Sequence, residues 1–216
     1  MTTKGTGRGR PRGTSKRELE LIAMRLFTER GFENTTVEDI AAAAGVSGRT
    51  FFRYFPGKGE VLWYQFDEEV RALRAAFDAV ADDVPMMTAV RRVVVNANRY
   101  RAEDVPELRT RMGLVASVPA LAASAGAHYD AWERAVSAFA ARRLGQSPDD
   151  LVPMAVGRTA LAAARAAFDA WLRGADADLT VYLDRALLAL ERGFAPETCI
   201  VHTDPQVSAA KTMGYD

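Results

Sequence analysis

The residues with the clearest chemical purpose lie between Ser47 and Lys58. Arg49 and Thr50 follow a capping Ser47 and the small Gly48, so they stand at the open start of a helix expected over residues 48–54. A guanidinium in that place can pair bidentately with the edge of a guanine. A threonine beside it can accept, donate or touch a thymine methyl. Arg53, and Lys58 just beyond the helix, sit where phosphates would pass. The chemistry this spacing suits is contact with duplex DNA, with Val46 and Phe51 left to anchor the helix.

Other chemistries are poorly provided for. Two histidines, His128 and His202, and the single Cys199 show no metal-ligand spacing, and His128 reads as a lone histidine on a helix. Gly5, Gly7 and Gly9 do not follow a strand, which a phosphate-cradling loop requires. We therefore expect no catalytic residue, no cofactor and no metal. The competing reading of residues 15–66 is a helical module that docks protein, with Phe51, Phe52, Tyr54 and Phe55 serving only as core.

The elements that must hold these residues are three short helices separated by tight breaks. Ser15 with Glu18 three on reads as a capping box. Leu19, Ile22, Ala23, Leu26 and Phe27 then recur as one helical stripe, and Gly31 after the basic Arg30 suits a left-handed stop. Thr36 with Asp39 opens a second helix, which Gly45 breaks, and Ser47 caps the third at once. Two helices joined by so short a turn cross steeply, which is the helix-turn-helix arrangement, and its second member enters the major groove.

Charge supports the same reading. The chain has no net charge, yet residues 1–60 hold 11 Lys and Arg against 7 Asp and Glu, while the remainder holds 17 against 21. Residues 1–17 contain Lys4, Arg8, Arg10, Arg12, Lys16 and Arg17 and no acid. An arm of this composition cannot bury enough apolar surface to fold alone. Arginines preceding a helix-turn-helix, Arg10 and Arg12 among them, can enter the minor groove or lie along phosphates; a merely solubilising tail is the alternative.

At these residues a resemblance becomes specific. Thr36-Val37-Glu38-Asp39-Ile40-Ala41, Ala44-Gly45-Val46-Ser47 and Thr50-Phe51-Phe52-Arg53-Tyr54-Phe55-Pro56-Gly57-Lys58 resemble the N-terminal domain of the TetR family of transcriptional regulators. The match spans residues 15–66 without a gap. It adds Thr36, Ser47, Gly48, Phe52 and Tyr54 to the expected DNA-facing set. One departure stands out: the family usually has a tyrosine where this chain has Phe52, whose ring cannot hydrogen-bond a phosphate.

From residue 59 the sequence reads as six further amphipathic helices, over about 59–80, 86–99, 105–118, 119–144, 151–172 and 178–192. No stretch alternates as a strand does, so the expected fold is all-α. The resemblance implies a three-helix helix-turn-helix head over 15–58, after a disordered arm over 1–14. A six-helix ligand-binding and dimerisation bundle over 59–194 follows, and a tail over 195–216 departs from the family pattern. It further implies that the last two helices pair with those of a second copy, with Leu161, Ala164, Phe168, Leu183 and Leu187 at the interface. A helix central to one protomer would look similar in sequence.

A small-molecule pocket is likewise implied, and Met86, Asn96, Met112, Trp132, Phe139 and Phe168 are the side chains that could line it, although ordinary core would use the same types. Arginines at Arg91, Arg92, Arg99, Arg101, Arg109 and Arg111 form either a solvated surface or a collector for an anionic effector such as an acyl-CoA. The Arg49–Phe55 run, Asp82-Asp83-Val84-Pro85 and Val118-Pro119-Ala120-Leu121 are similar to the TetR subgroup found with mycofactocin biosynthesis genes, which favours a fatty-acyl effector. The expected protein is a homodimeric repressor that binds a double-stranded operator. With one cysteine, no signal segment and no stretch near the roughly 20 apolar residues of a membrane span, it is expected in the cytoplasm.

Overall fold

In a computed structural model, residues 14–174 and 178–193 are described. They form nine α-helices and no strand: α1 (Lys16–Arg30), α2 (Val37–Ala43), α3 (Gly48–Tyr54), α4 (Tyr64–Asp78), α5 (Met86–Ala97), α6 (Val105–Ser117), α7 (Pro119–Leu144), α8 (Leu151–Arg173) and α9 (Leu179–Glu191). The all-α expectation holds. Arg10, Arg12 and the 195–216 tail lie outside the described residues.

Local chemistry explains the first three boundaries. Ser15 Oγ accepts from the Glu18 amide, and Thr36 and Asp39 close a reciprocal capping box, each side chain bonded to the other's backbone amide. Ser47 Oγ accepts from the Thr50 amide at 3.2 Å and opens α3. The turn between α2 and α3 needs Gly45, at φ 67°, where a side chain would be strained. Gly31 also has positive φ, but its ψ of 152° places it outside the left-handed helical well expected from its position.

The fourth helix differs from expectation. Residues 59–62 form a short 3-10 turn, and α4 begins only at Tyr64 and ends at Asp78. Val61, Leu62 and Trp63 are all buried, and three consecutive inward side chains do not fit one stripe of a straight α-helix. The tighter turn delivers them together before α4 starts.

The chain divides into two compact units. The first runs to Ala72 and takes in Tyr100–Ala131, so it contains α1–α3, most of α4, α6 and the start of α7. Its core joins Leu19, Phe27, Ile40, Phe51, Val61 and Leu62 from the head to Val115 and Leu121. The second takes Leu73–Arg99 and the chain from Trp132 onward. There α9 packs against both α5 and α8, and Phe77 stacks on Phe139 with centroids 4.6 Å apart. At Gly157 of α8 an added Cβ would lie 2.3 Å from Ser137 Oγ and 2.7 Å from Glu133 O, so glycine is what lets α7 approach.

One expectation about composition is corrected here. Leu151–Arg173 is, by length and composition, apolar enough to cross a membrane. Part of that apolarity has a local use, because Ala160, Leu161, Ala164, Ala167 and Trp171 are buried within the unit.

Candidate nucleic-acid interface

The first unit presents α3 as the sequence predicts. Phe51 is fully buried and Val46 is half-buried against the same core, so the helix is pinned along one side. On the other side Arg49, Phe52 and Arg53 are exposed, Phe52 to 55%. Thr50 is half-buried, and its hydroxyl lies 3.0 Å from that of Ser47.

Four expected residues have structural duties of their own. The Thr36 hydroxyl donates to Asp39 Oδ2 at 2.6 Å. That bond and the Thr36 amide hold the exposed Asp39 carboxyl below the usual carboxylate range. Ser47 is occupied as the α3 cap. Tyr54 Oη donates to the Thr14 carbonyl at 3.0 Å, tying the end of α3 to the chain entering α1. Lys58, expected along the phosphate path, gives two of its three protons to carbonyls, Phe32 O at 2.7 Å and Thr35 O at 2.9 Å, above the Phe32 ring.

Behind the head lies a buried ionic cluster that sequence reasoning missed. Arg111 Nη2 of α6 donates to Glu20 Oε1 of α1 and to Glu107 Oε1 at 2.8 Å. Arg17 Nη1 bonds Glu20 at 2.9 Å and Glu107 at 2.6 Å. Burial pushes the Glu20 carboxyl up despite both guanidinium groups. Burial also pushes on Glu107, but Arg17 and Arg111 hold it below the usual range. Burial likewise raises the Glu69 carboxyl, which accepts from Tyr100 Oη at 2.9 Å. The available signal was Glu20 itself, an acid placed between the apolar Leu19 and Ala23 of one stripe.

Of the expected pocket residues, Met112 belongs to the first unit, whereas Met86, Trp132, Phe139 and Phe168 belong to the second. Asn96 is exposed and accepts from Arg99 Nε at 3.1 Å, so it faces solvent and not a pocket. Trp132 and Phe139 are buried as core, and Phe168 meets Trp171 edge-on. An open groove of about 350 Å³ lies between α1 and α6, lined by Leu21, Met24, Pro106 and Thr110 among others. None of the six expected residues lines it.

The arginine cluster does not act as one patch. Arg91 pairs with Asp184 and Glu191 of α9, Arg101 with Glu103, and Arg111 with Glu20 and Glu107. The acids that neutralise Arg91 and part of Arg111 are remote in sequence, which is why local counting overstated the positive charge. Among the described residues no cluster of metal-ligating side chains occurs.

Of the expected dimer residues, Leu161, Ala164, Leu183 and Leu187 are buried within a single chain, and Phe168 is half-buried. These four side chains pack against their own unit. Among the large apolar side chains of α8 and α9, Leu151, Val152 and Val181 are exposed, to 75%, 48% and 51%.

A capped three-helix head with a cationic, outward-facing second helix of a helix-turn-helix defines the class as a helix-turn-helix DNA-binding regulator. Residues 22–62 match the model of bacterial regulatory proteins of the tetR family, and residues 84–195 match the MftR C-terminal domain. The chain belongs to the TetR family of transcriptional regulators, DNA-binding proteins with a ligand-binding C-terminal domain; these are regulators and not enzymes. It is 32% identical over 178 residues to the Mycobacterium tuberculosis protein named as mycofactocin biosynthesis transcriptional regulator MftR, covering 82% of this chain and 90% of that one. Among solved structures it resembles Thermus thermophilus FadR, a TetR family repressor in complex with lauroyl-CoA, at 25% identity and TM-score 0.54, over 84% of this chain and 95% of that one. It also resembles SmeT, the repressor of the Stenotrophomonas maltophilia multidrug efflux pump SmeDEF, at 19% identity and TM-score 0.57, over 88% and 95%; that likeness concerns the fold.

Proposed function

We propose that this protein is a cytoplasmic homodimeric repressor that leaves its operator when a hydrophobic or acyl-CoA effector binds. The observation that carries the reading is the pairing on α3 of a buried Phe51 with an exposed Arg49, which fixes the helix while leaving its cation free to reach a base edge. Arg49 and Thr50 read bases, Phe52 packs on sugar or a thymine methyl, and Arg53 lies against phosphate, with the arginines of the arm alongside. The functional division is a reading head over 15–58 and an effector and dimer domain over 59–194.

Two-fold pairing through the open surface of α8 and α9 sets two heads on two half-sites, one helical turn or a multiple apart. Binding of lauroyl-CoA by FadR of similar fold supports an acyl-CoA effector. An effector releases DNA only by favouring the state that binds it poorly.

The test starts with selection of bound duplexes from a random pool. Arg49→Ala should then weaken the selected operator by about 1–3 kcal/mol and leave random DNA nearly unaffected. Equal losses on both would assign Arg49 to phosphate contact. Lauroyl-CoA added to the operator complex should release it, and a complex indifferent to acyl-CoA of any chain length would refute the effector class.

A further inference from the structure

Glu38 is the second residue of α2 and is exposed. Its neighbour Asp39 is consumed by the capping box, but Glu38 is not: among the described residues no hydrogen bond or ion pair engages it. It lies close to the first residue of the next helix. A Cβ added to Gly48, the first residue of α3, would lie 3.9 Å from Glu38 Oε1. The carboxylate therefore flanks the same opening turn of α3 from which Arg49 and Thr50 project.

A free carboxylate on a surface that meets a polyanion is repelled by it unless it accepts a hydrogen bond from the duplex. In the major groove the donors are the exocyclic amines of cytosine and adenine. Adenine presents its amine beside the N7 acceptor, which opposes a carboxylate; cytosine presents N4–H₂ with no such acceptor on its own edge. We propose that Glu38 is a specificity-determining residue that reads a cytosine N4 amine next to the bases read by Arg49. The inference rests on the DNA-reading role of α3, and it assigns part of the operator code to α2.

The experiment is selection from a random duplex pool, followed by sequencing, for the full-length wild type, Glu38→Ala and Glu38→Gln. Because Glu38 is exposed and unpaired, both variants should keep the wild-type melting curve. Wild type should enrich cytosine at one position of each half-site. Glu38→Ala should lose that preference by about tenfold or more, with the other positions unchanged. Glu38→Gln should shift the same position toward adenine, whose N6 and N7 suit an amide. A Glu38→Ala profile identical to wild type, or tighter binding to all sequences alike, would show that Glu38 only repels phosphate and would overturn this inference alone. A wild type that enriches no sequence would remove the DNA-reading role and the inference with it.

Discussion

Arg111 Nη2 donates to Glu20 Oε1 across 2.7 Å, joining helices whose residues lie 91 positions apart, and both groups are buried. Arg111→Met removes the cation and strands the carboxylate. Breaking a buried pair from one side costs about 3–5 kcal/mol. Burial raises Glu20 above its ordinary value, so between its unfolded and folded values the folded state binds more proton than the unfolded one. Its contribution is present below the unfolded value near 4.5 and lost as pH rises through the folded value. Without Arg111 that folded value climbs further. The stability gap between wild type and variant, from denaturant unfolding, should be small at pH 5 and large at pH 8. Glu20→Leu combined with Arg111→Met should recover most of it, and a gap independent of pH would sink this account.

Lys58 supports a second prediction, about the head alone. Its ammonium bridges the Phe32 and Thr35 carbonyls in the turn between α1 and α2. Lys58→Met keeps the methylene stem near the Phe32 ring but leaves those carbonyls without that donor. Hydrogen bonds to a charged group are worth about 1.5–3 kcal/mol, so melting without DNA should fall by several degrees. An unchanged melt, with only a shallower salt dependence of DNA binding, would make Lys58 a phosphate contact instead.

What could be read in advance followed the range of the forces involved. The helix starts at Ser15, Thr36 and Ser47 are set by hydroxyls that accept from the backbone amide three residues on, so spacing alone located them. The outward Arg49 and inward Phe51 follow from one helical turn. Glu20–Arg111 and Arg91–Asp184 depend on which helices become neighbours, and no local window contains both partners. Residues 59–62 failed for a related reason: periodicity shows that Val61, Leu62 and Trp63 are apolar, but not that all three are buried together. Glu38 stayed unnoticed because its role depends on the distance from α2 to Gly48, which sequence does not carry.

The same limit governs α8 and α9, and it yields the last prediction. Apolar periodicity marks both the face turned to the chain's own core and the face left for a partner, without distinguishing them. Leu183 is fully buried, whereas Val181, two residues earlier, is half exposed. Leu183→Ala should therefore open a cavity and cost about 2–5 kcal/mol of stability while the native molecular mass stays that of a dimer. Val181→Arg should leave the protomer folded, because the new side chain extends into solvent, but it places a charge within the proposed two-fold interface, where it meets its own copy or desolvates. Sedimentation should then show monomers, and operator affinity should fall because one head grips one half-site. Monomers from Leu183→Ala with unaltered protomer stability, together with intact dimers from Val181→Arg, would reverse the assignment and return the interface to the buried stripe.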